Sequence, residues 1–245
     1  MTTLGGGFLG FFKSNKPDAQ MTFTENAFPQ LQNGLFTADI KKTEDGVYNF
    51  GFIDEARFST PIMYMPVRSW NQWIVESSSY TIGTNKTETK LRALVDTGTT
   101  NVILSSKIAK EYFATVPGAK TEDSKSWFVP CTPPEDTMPD FTFTFSPTAP
   151  VATAVFPKGS GGNKQEVYEA VIPGEYLIGN QSGKNDGMCQ ASVTGQEKTG
   201  NGWDVILGDV FFMNQLVVFD LGDANGTKEK DFPERGQIGF APKPK

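Results

Sequence analysis

Three apolar residues, Ala93-Leu94-Val95, lead into a single acid, Asp96, and then into Thr97-Gly98-Thr99-Thr100. A carboxylate that directly follows an apolar strand is costly unless it is hydrogen-bonded or shares a proton. The neighbours suit that need. Thr97 and Thr99 carry hydroxyl donors, and Gly98 lets backbone amides approach the carboxylate closely. Such a setting holds a carboxyl group rigidly and tunes its proton affinity for acid–base work. A turn closing a hairpin would use the same Asp and Gly, and the tripeptide alone does not separate the two.

Elimination narrows the chemistry. The chain contains no histidine, which removes Ser-His-Asp and Cys-His triads and every His-containing zinc site. The two cysteines, Cys131 and Cys189, are too few for a Cys-only zinc site, so no metal and no cofactor is expected. Catalysis would fall to carboxylates, hydroxyls, Lys or Tyr. A net charge of −6 with a pI of about 4.8 and no basic stripe argues against a nucleic-acid partner. No run of 18 apolar residues occurs, so no membrane span is expected. The start, Met1 to Gly7, has neither the basic flank nor the apolar core of a signal peptide.

The cysteines lie 58 positions apart. One disulfide closing such a loop would stabilise the fold by roughly 4 kcal/mol in the chain-entropy model. Two free buried thiols are the alternative. Three sequons, at Asn85, Asn180 and Asn225, tilt the balance toward a secretory route.

The elements that must position Asp96 read as mostly β. With 25 Gly, 16 Pro and 20 Phe, the chain is rich in turns and in core-forming rings. Phe23, Ala27, Phe28 and Leu31 fall on one face of a helix over 22–32, ended by Gly34. Phe36–Ile40 and Val47–Phe52 flank Asp45-Gly46 as a β-hairpin. Trp70–Tyr80 alternates as a strand, with Ser77-Ser78-Ser79 placed on its polar side. Ser105–Tyr112 reads as a short helix capped by Ser105 or Ser106. Phe141–Phe145 alternates strictly, one face of Phe reading as core. Residues 146–166 read as a surface insertion, and 222–234 as an exposed loop before the last strand at 236–241.

Further along run Trp203-Asp204-Val205-Ile206-Leu207-Gly208-Asp209-Val210-Phe211, then Val217-Val218-Phe219-Asp220 and Gln237–Pro242. With Asp96-Thr97-Gly98 upstream, this order resembles the C-terminal lobe of pepsin-like aspartic proteases (peptidase A1), most closely the fungal secreted type. The resemblance covers the chain from about Phe23 onward. It implies an all-β fold with a few short helices, the C-terminal lobe of the bilobal acid-protease fold, in which Ile206-Leu207-Gly208 threads beside the Asp96 loop in a ψ-shaped crossing. It further implies that Asp96 is the second-lobe catalytic aspartate, with Thr97, Gly98 and Thr99 as its support. In that family two carboxyls hold a water between them: one acts as base toward the water and the other protonates the peptide carbonyl. The family's lobe also carries one disulfide here, which favours a Cys131–Cys189 bond.

The first-lobe aspartate of that family has no match. Asp45 and Asp186 lack the Ser/Thr before their Gly, and Asp140, Asp204, Asp209 and Asp220 lack the Gly turn. The resemblance therefore divides the chain into 1–34, a remnant of the end of the N-terminal lobe and linker (with Leu4–Phe12 as its Gly-rich strand), and 35–245, the C-terminal lobe. A full site would need the missing N-terminal lobe or a second chain. The expected function is that of an aspartic-type endopeptidase acting on peptide or protein substrates at acid pH. A non-catalytic lobe serving as a binding module, or a truncated inactive fragment, is the alternative. The expected location is secreted or vacuolar, and Asn101 and Ile103 are candidate substrate-facing residues.

Overall fold

The structure is a computed structural model, and it describes residues 27–69, 72–132, 138–146, 167–182, 187–197, 202–221 and 236–244. The expectations for 4–12 and 222–234, with Asn225, lie outside these residues, as do most of 1–34 and all of 146–166 beyond Ser146.

Ring stacking sets the first sheet. β1 (Leu35–Asp39) pairs antiparallel with β2 (Val47–Phe50), so the expected hairpin forms. Its loop spans 40–46, longer than a tight Asp-Gly turn. Gly46 is needed there because a Cβ would lie 2.5 Å from the Asp39 carbonyl oxygen. The second strand ends at Phe50, two residues short of Phe52, and Gly51, whose φ of +82° lies in the region that favours glycine, turns the chain there. β3 (Met63–Pro66) follows. Of the helix expected over 22–32, residues 22–26 lie outside the described residues; Ala27 is helical, a 3₁₀ turn, Phe28–Gln30, follows, and Leu31 is already extended.

β4 (Ile74–Ile82) and β5 (Asn85–Val95) form a long antiparallel hairpin. The first of these begins at Ile74 and not at Trp70. Ser77 and Ser79 are fully buried, contrary to the polar side expected for them. A bulge between them shifts the phase, so Ser77 faces Phe145 and Ser79 faces Thr144. Glu76, before them, and Ser78, between them, are only partly buried. β6 (Val102–Ser105) runs into α1 (Ser106–Phe113), whose Ile108 amide donates to the Ser105 hydroxyl at 3.3 Å, the expected cap.

The remaining elements are β7 (Lys120–Thr121), β8 (Ser126–Pro130), β9 (Phe141–Phe145), β10 (Tyr168–Ile172), β11 (Ile178–Gln181), β12 (Met188–Gln196), β13 (Val205–Leu207), α2 (Asp209–Phe212), β14 (Gln215–Asp220) and β15 (Gln237–Pro242). They complete two sheets. One has the order β2-β1-β14-β15-β3; the other runs β10-β9-β4-β5-β13-β6-β12-β8-β7, with β11 added on β12. The fold is that of an all-β lobe with few and short helices.

Aromatic rings join the sheets. Phe36 stacks on Phe219 at 4.5 Å across β1 and β14, and Trp73 meets Phe219 edge-on at 5.1 Å. Phe141, Phe143 and Phe145 are all buried, as their alternation required. Phe145 reaches Phe240 of the other sheet at 5.1 Å, and Phe211 reaches the same ring at 5.2 Å. Each such ring contributes about 1.5–3 kcal/mol by burial. This core clamps the end of β5 and the whole of β13, the two strands that carry the site.

Candidate active site

Asp96 is the first residue past β5. Two donors fix its carboxylate. The Gly98 amide donates to Oδ1 at 2.9 Å, and the Thr99 hydroxyl donates to Oδ2 at 2.7 Å. The backbone is fixed too: the Asp96 amide donates to the Leu207 carbonyl at 3.0 Å, and the Val95 amide to the Trp73 carbonyl at 2.9 Å. β13 lies parallel to β5, with Ile206 opposite Leu94 and Leu207 opposite Val95, and antiparallel to β6, with Leu207 opposite Val102. The strand thus threads between the two strands that flank the Asp96 loop. Gly208 makes that passage possible. A Cβ there would sit 2.3 Å from the Thr99 carbonyl oxygen and 2.4 Å from that of Asn101. Both are backbone atoms that cannot swing aside.

Sequence reasoning passed over a second carboxyl. Asp209, set aside for want of a Gly turn, follows Gly208 directly, and its amide donates to the Thr99 carbonyl at 2.8 Å. Its side chain is half-buried, and among the described residues its Oδ1 has no hydrogen-bond partner. Burial, and then the nearby Asp96 charge, push its pKa up to about 6. The signal was present in the spacing: if Leu207 lies beside Val95, the residue two later must come level with the loop. Tyr48 completes the group from β2. Its hydroxyl pKa is raised by burial, opposed by a hydrogen bond with Thr97, and raised again by the Asp209 charge. Thr97 therefore turns its hydroxyl to Tyr48, while Thr99 serves the carboxylate.

The sequence profile of the family described as "Eukaryotic aspartyl protease" matches residues 2–226. The chain belongs to the eukaryotic aspartyl protease family. Among curated relatives, it is 32% identical to Penicillopepsin-3 of Penicillium janthinellum over 230 residues, covering 93% of this chain and 49% of that protein. It is 31% identical to Penicillopepsin-2 of the same fungus over 242 residues, covering 96% and 52%. It is 30% identical to the aspartic protease pepA of Arthroderma otae over 241 residues, covering 93% and 52%. The chain spans about half the length of the curated relatives it matches.

In this aspartyl-protease lobe, the Cys131–Cys189 disulfide is formed, with a Cα–Cα distance of 4.8 Å. It joins the end of β8 to β12, which are already paired through Val129 and Cys189. Of the sequons, Asn85 and Asn180 are exposed, the first at the β4–β5 turn and the second on β11. Asn101 lies in the loop after Asp96, and Ile103 packs against Ile74, Leu94 and Ile206. Among the described residues no group of three or more Cys, Asp or Glu is arranged to hold a metal ion, and no helix is long and apolar enough to cross a membrane.

Proposed function

We propose that the chain supplies the second-lobe carboxyl of an aspartic endopeptidase. Asp96 is its catalytic residue, and Thr97, Gly98 and Thr99 hold it. The observation that supports this most directly is the carboxylate at the end of β5, gripped by the Gly98 amide and the Thr99 hydroxyl beside Leu207. Asp96 is partly exposed, so its carboxylate can hold and activate a water. Hydrolysis needs one group to take a proton from that water while another gives one to the peptide carbonyl oxygen. Asp96 fills one of these roles. The other belongs to a carboxyl from a first lobe, or from a second chain, across a cleft that both halves form. The two acids lie close enough to share one proton, since like charges at that range do not both ionise. The product is two peptides, and the enzyme acts on proteins at acid pH in a secreted or vacuolar setting.

Asp209 enters this scheme through its charge. Buried beside Asp96 and without a partner for one oxygen, it favours the neutral form up to about pH 6. In the acid range it adds no second negative charge next to the catalytic pair.

A second reading is favoured by one observation, the coverage of about half of each relative. In that reading the 245-residue chain acts as a peptide-binding lobe without turnover. The test compares casein digestion at acid pH by the chain alone and by the chain joined to a first lobe, each with Asp96 and with Asp96→Asn. The endopeptidase reading expects turnover only in the joined protein and only with Asp96.

A further inference from the structure

We propose that Asn85 is an N-glycosylated residue, carrying an oligosaccharide on the pole of the lobe opposite Asp96. The proposal rests on the secretory reading above. Asn85-Lys86-Thr87 is a sequon, and it lies exposed at the tip of the β4–β5 hairpin, where the fold has room for a sugar. Gly83, at φ +58°, turns the chain between β4 and β5, and Ile82 pairs with Asn85 across that turn. Asn85, Lys86 and Thr87 are all exposed. Strand alternation puts the Asn85 amide and the Thr87 hydroxyl on one face, two residues apart. Lys86 lies on the other face, ion-paired with Glu88 at 2.8 Å.

Position decides what the sugar leaves alone. β5 runs from Asn85 to Val95, so the acceptor and Asp96 stand at opposite ends of the same strand. At about 3.3 Å per residue that is roughly 35 Å of extended chain. A glycan at Asn85 shields the hairpin tip and stays clear of the cleft. The disulfide supplies independent support, since a Cys131–Cys189 bond forms and persists in the same oxidising compartments where such sugars are added. The reaction joins the Asn85 side-chain nitrogen to the reducing-end carbon of a lipid-linked oligosaccharide diphosphate. The carbon–oxygen bond to the diphosphate breaks, the diphosphate leaves with the electron pair, and the amide releases one proton.

The experiment directs the 245-residue chain through the secretory pathway of a yeast behind a cleavable leader. Total protein, cell-associated and secreted, is digested with an endoglycosidase that leaves one sugar residue, and the peptides are weighed. Because sugar addition precedes folding, a poorly folding variant still reports. The wild-type Asn85 peptide is expected to gain one hexosamine. Asn85→Gln and Thr87→Ala are each expected to remove one glycan step on a gel, and Thr87→Ser to restore it. A bare Asn85 in a chain whose Cys131–Cys189 bond has formed overturns the proposal and leaves the secretory reading standing. A bare Asn85 with both cysteines reduced overturns the two together.

Discussion

At Asp96 the two carboxylate donors are not equivalent. The Gly98 amide is part of the turn and cannot be removed by a side-chain change, whereas the Thr99 hydroxyl can. A hydrogen bond to an ionised group contributes about 1.5–3 kcal/mol. Thr99→Val should therefore lower stability near neutral pH by about 1–2 kcal/mol, as read by urea unfolding. Thr99→Ser should recover most of it. Asp209 makes the opposite kind of prediction. Its folded pKa of about 6 lies above the model-compound value of 3.8, so the folded state holds this proton more tightly than the unfolded chain. Its contribution to stability is full below about pH 4 and is lost as pH rises through about 6. Asp209→Asn should flatten the stability profile across that window and leave the protein more stable than wild type at pH 7. A carboxyl resonance for residue 209 that titrates below pH 4 would contradict the assignment. Asp209 was not legible as part of the site because its role depends on register, not on residue type. Only the parallel pairing of β13 with β5 shows which acid comes level with the loop.

At the scale of elements, the ψ-crossing depends on a glycine chosen for absence of volume. Gly208→Ala would place a methyl group 2.3 and 2.4 Å from two backbone oxygens, so the Asp96 loop must shift. Overpacking of this sort costs about 1–3 kcal/mol. The measurement that checks it is calorimetric unfolding alongside the amide chemical shifts of residues 96–99, which should move in the variant. A second tie holds the edge of the other sheet. Asp39, buried on β1, accepts a hydrogen bond from Arg57 at 2.6 Å and is ion-paired with Lys243 at 2.6 Å. Burial would raise its pKa, but the bonds to Lys243 and Arg57 win and hold it below 3.8. That stability is present above the unfolded value and is lost as pH falls through the folded one. Lys243→Ala should lower stability by about 1–3 kcal/mol at pH 7, with the effect shrinking as acid neutralises Asp39. The sequence displayed strands where apolar alternation was strong, as in Phe141–Phe145. It misplaced Ser77 and Ser79 because a bulge changes the phase of a strand without changing its residue types. The helix expected over 22–32 stops short of Gln32, because the chain past the helical Ala27 tightens into a 3₁₀ turn at Pro29 and is extended by Leu31.

At the scale of the whole molecule, the proposed reading places one catalytic aspartate, Asp96, on an all-β lobe, whereas peptide hydrolysis by acid pairs calls for two carboxyls. General acid or base help from one group contributes about 10²–10⁴-fold, and the mechanism needs both roles filled at the same moment. Binding energy from the far half of the cleft is also needed to position the peptide. The sequence carried the paired motifs that identify the family. The grip on the Asp96 carboxylate and the neighbouring buried Asp209 depend on distances that motifs do not carry. The most direct measurement is digestion of casein between about pH 3 and 5 by the 245-residue chain alone and by the same chain completed with a first lobe. The account predicts no useful cleavage by the lone chain, acid-optimal cleavage by the completed protein, and its loss by at least about 10²-fold in Asp96→Asn with the fold retained. Robust, Asp96-dependent cleavage by the lone chain would contradict it, and so would full activity of the completed protein without Asp96.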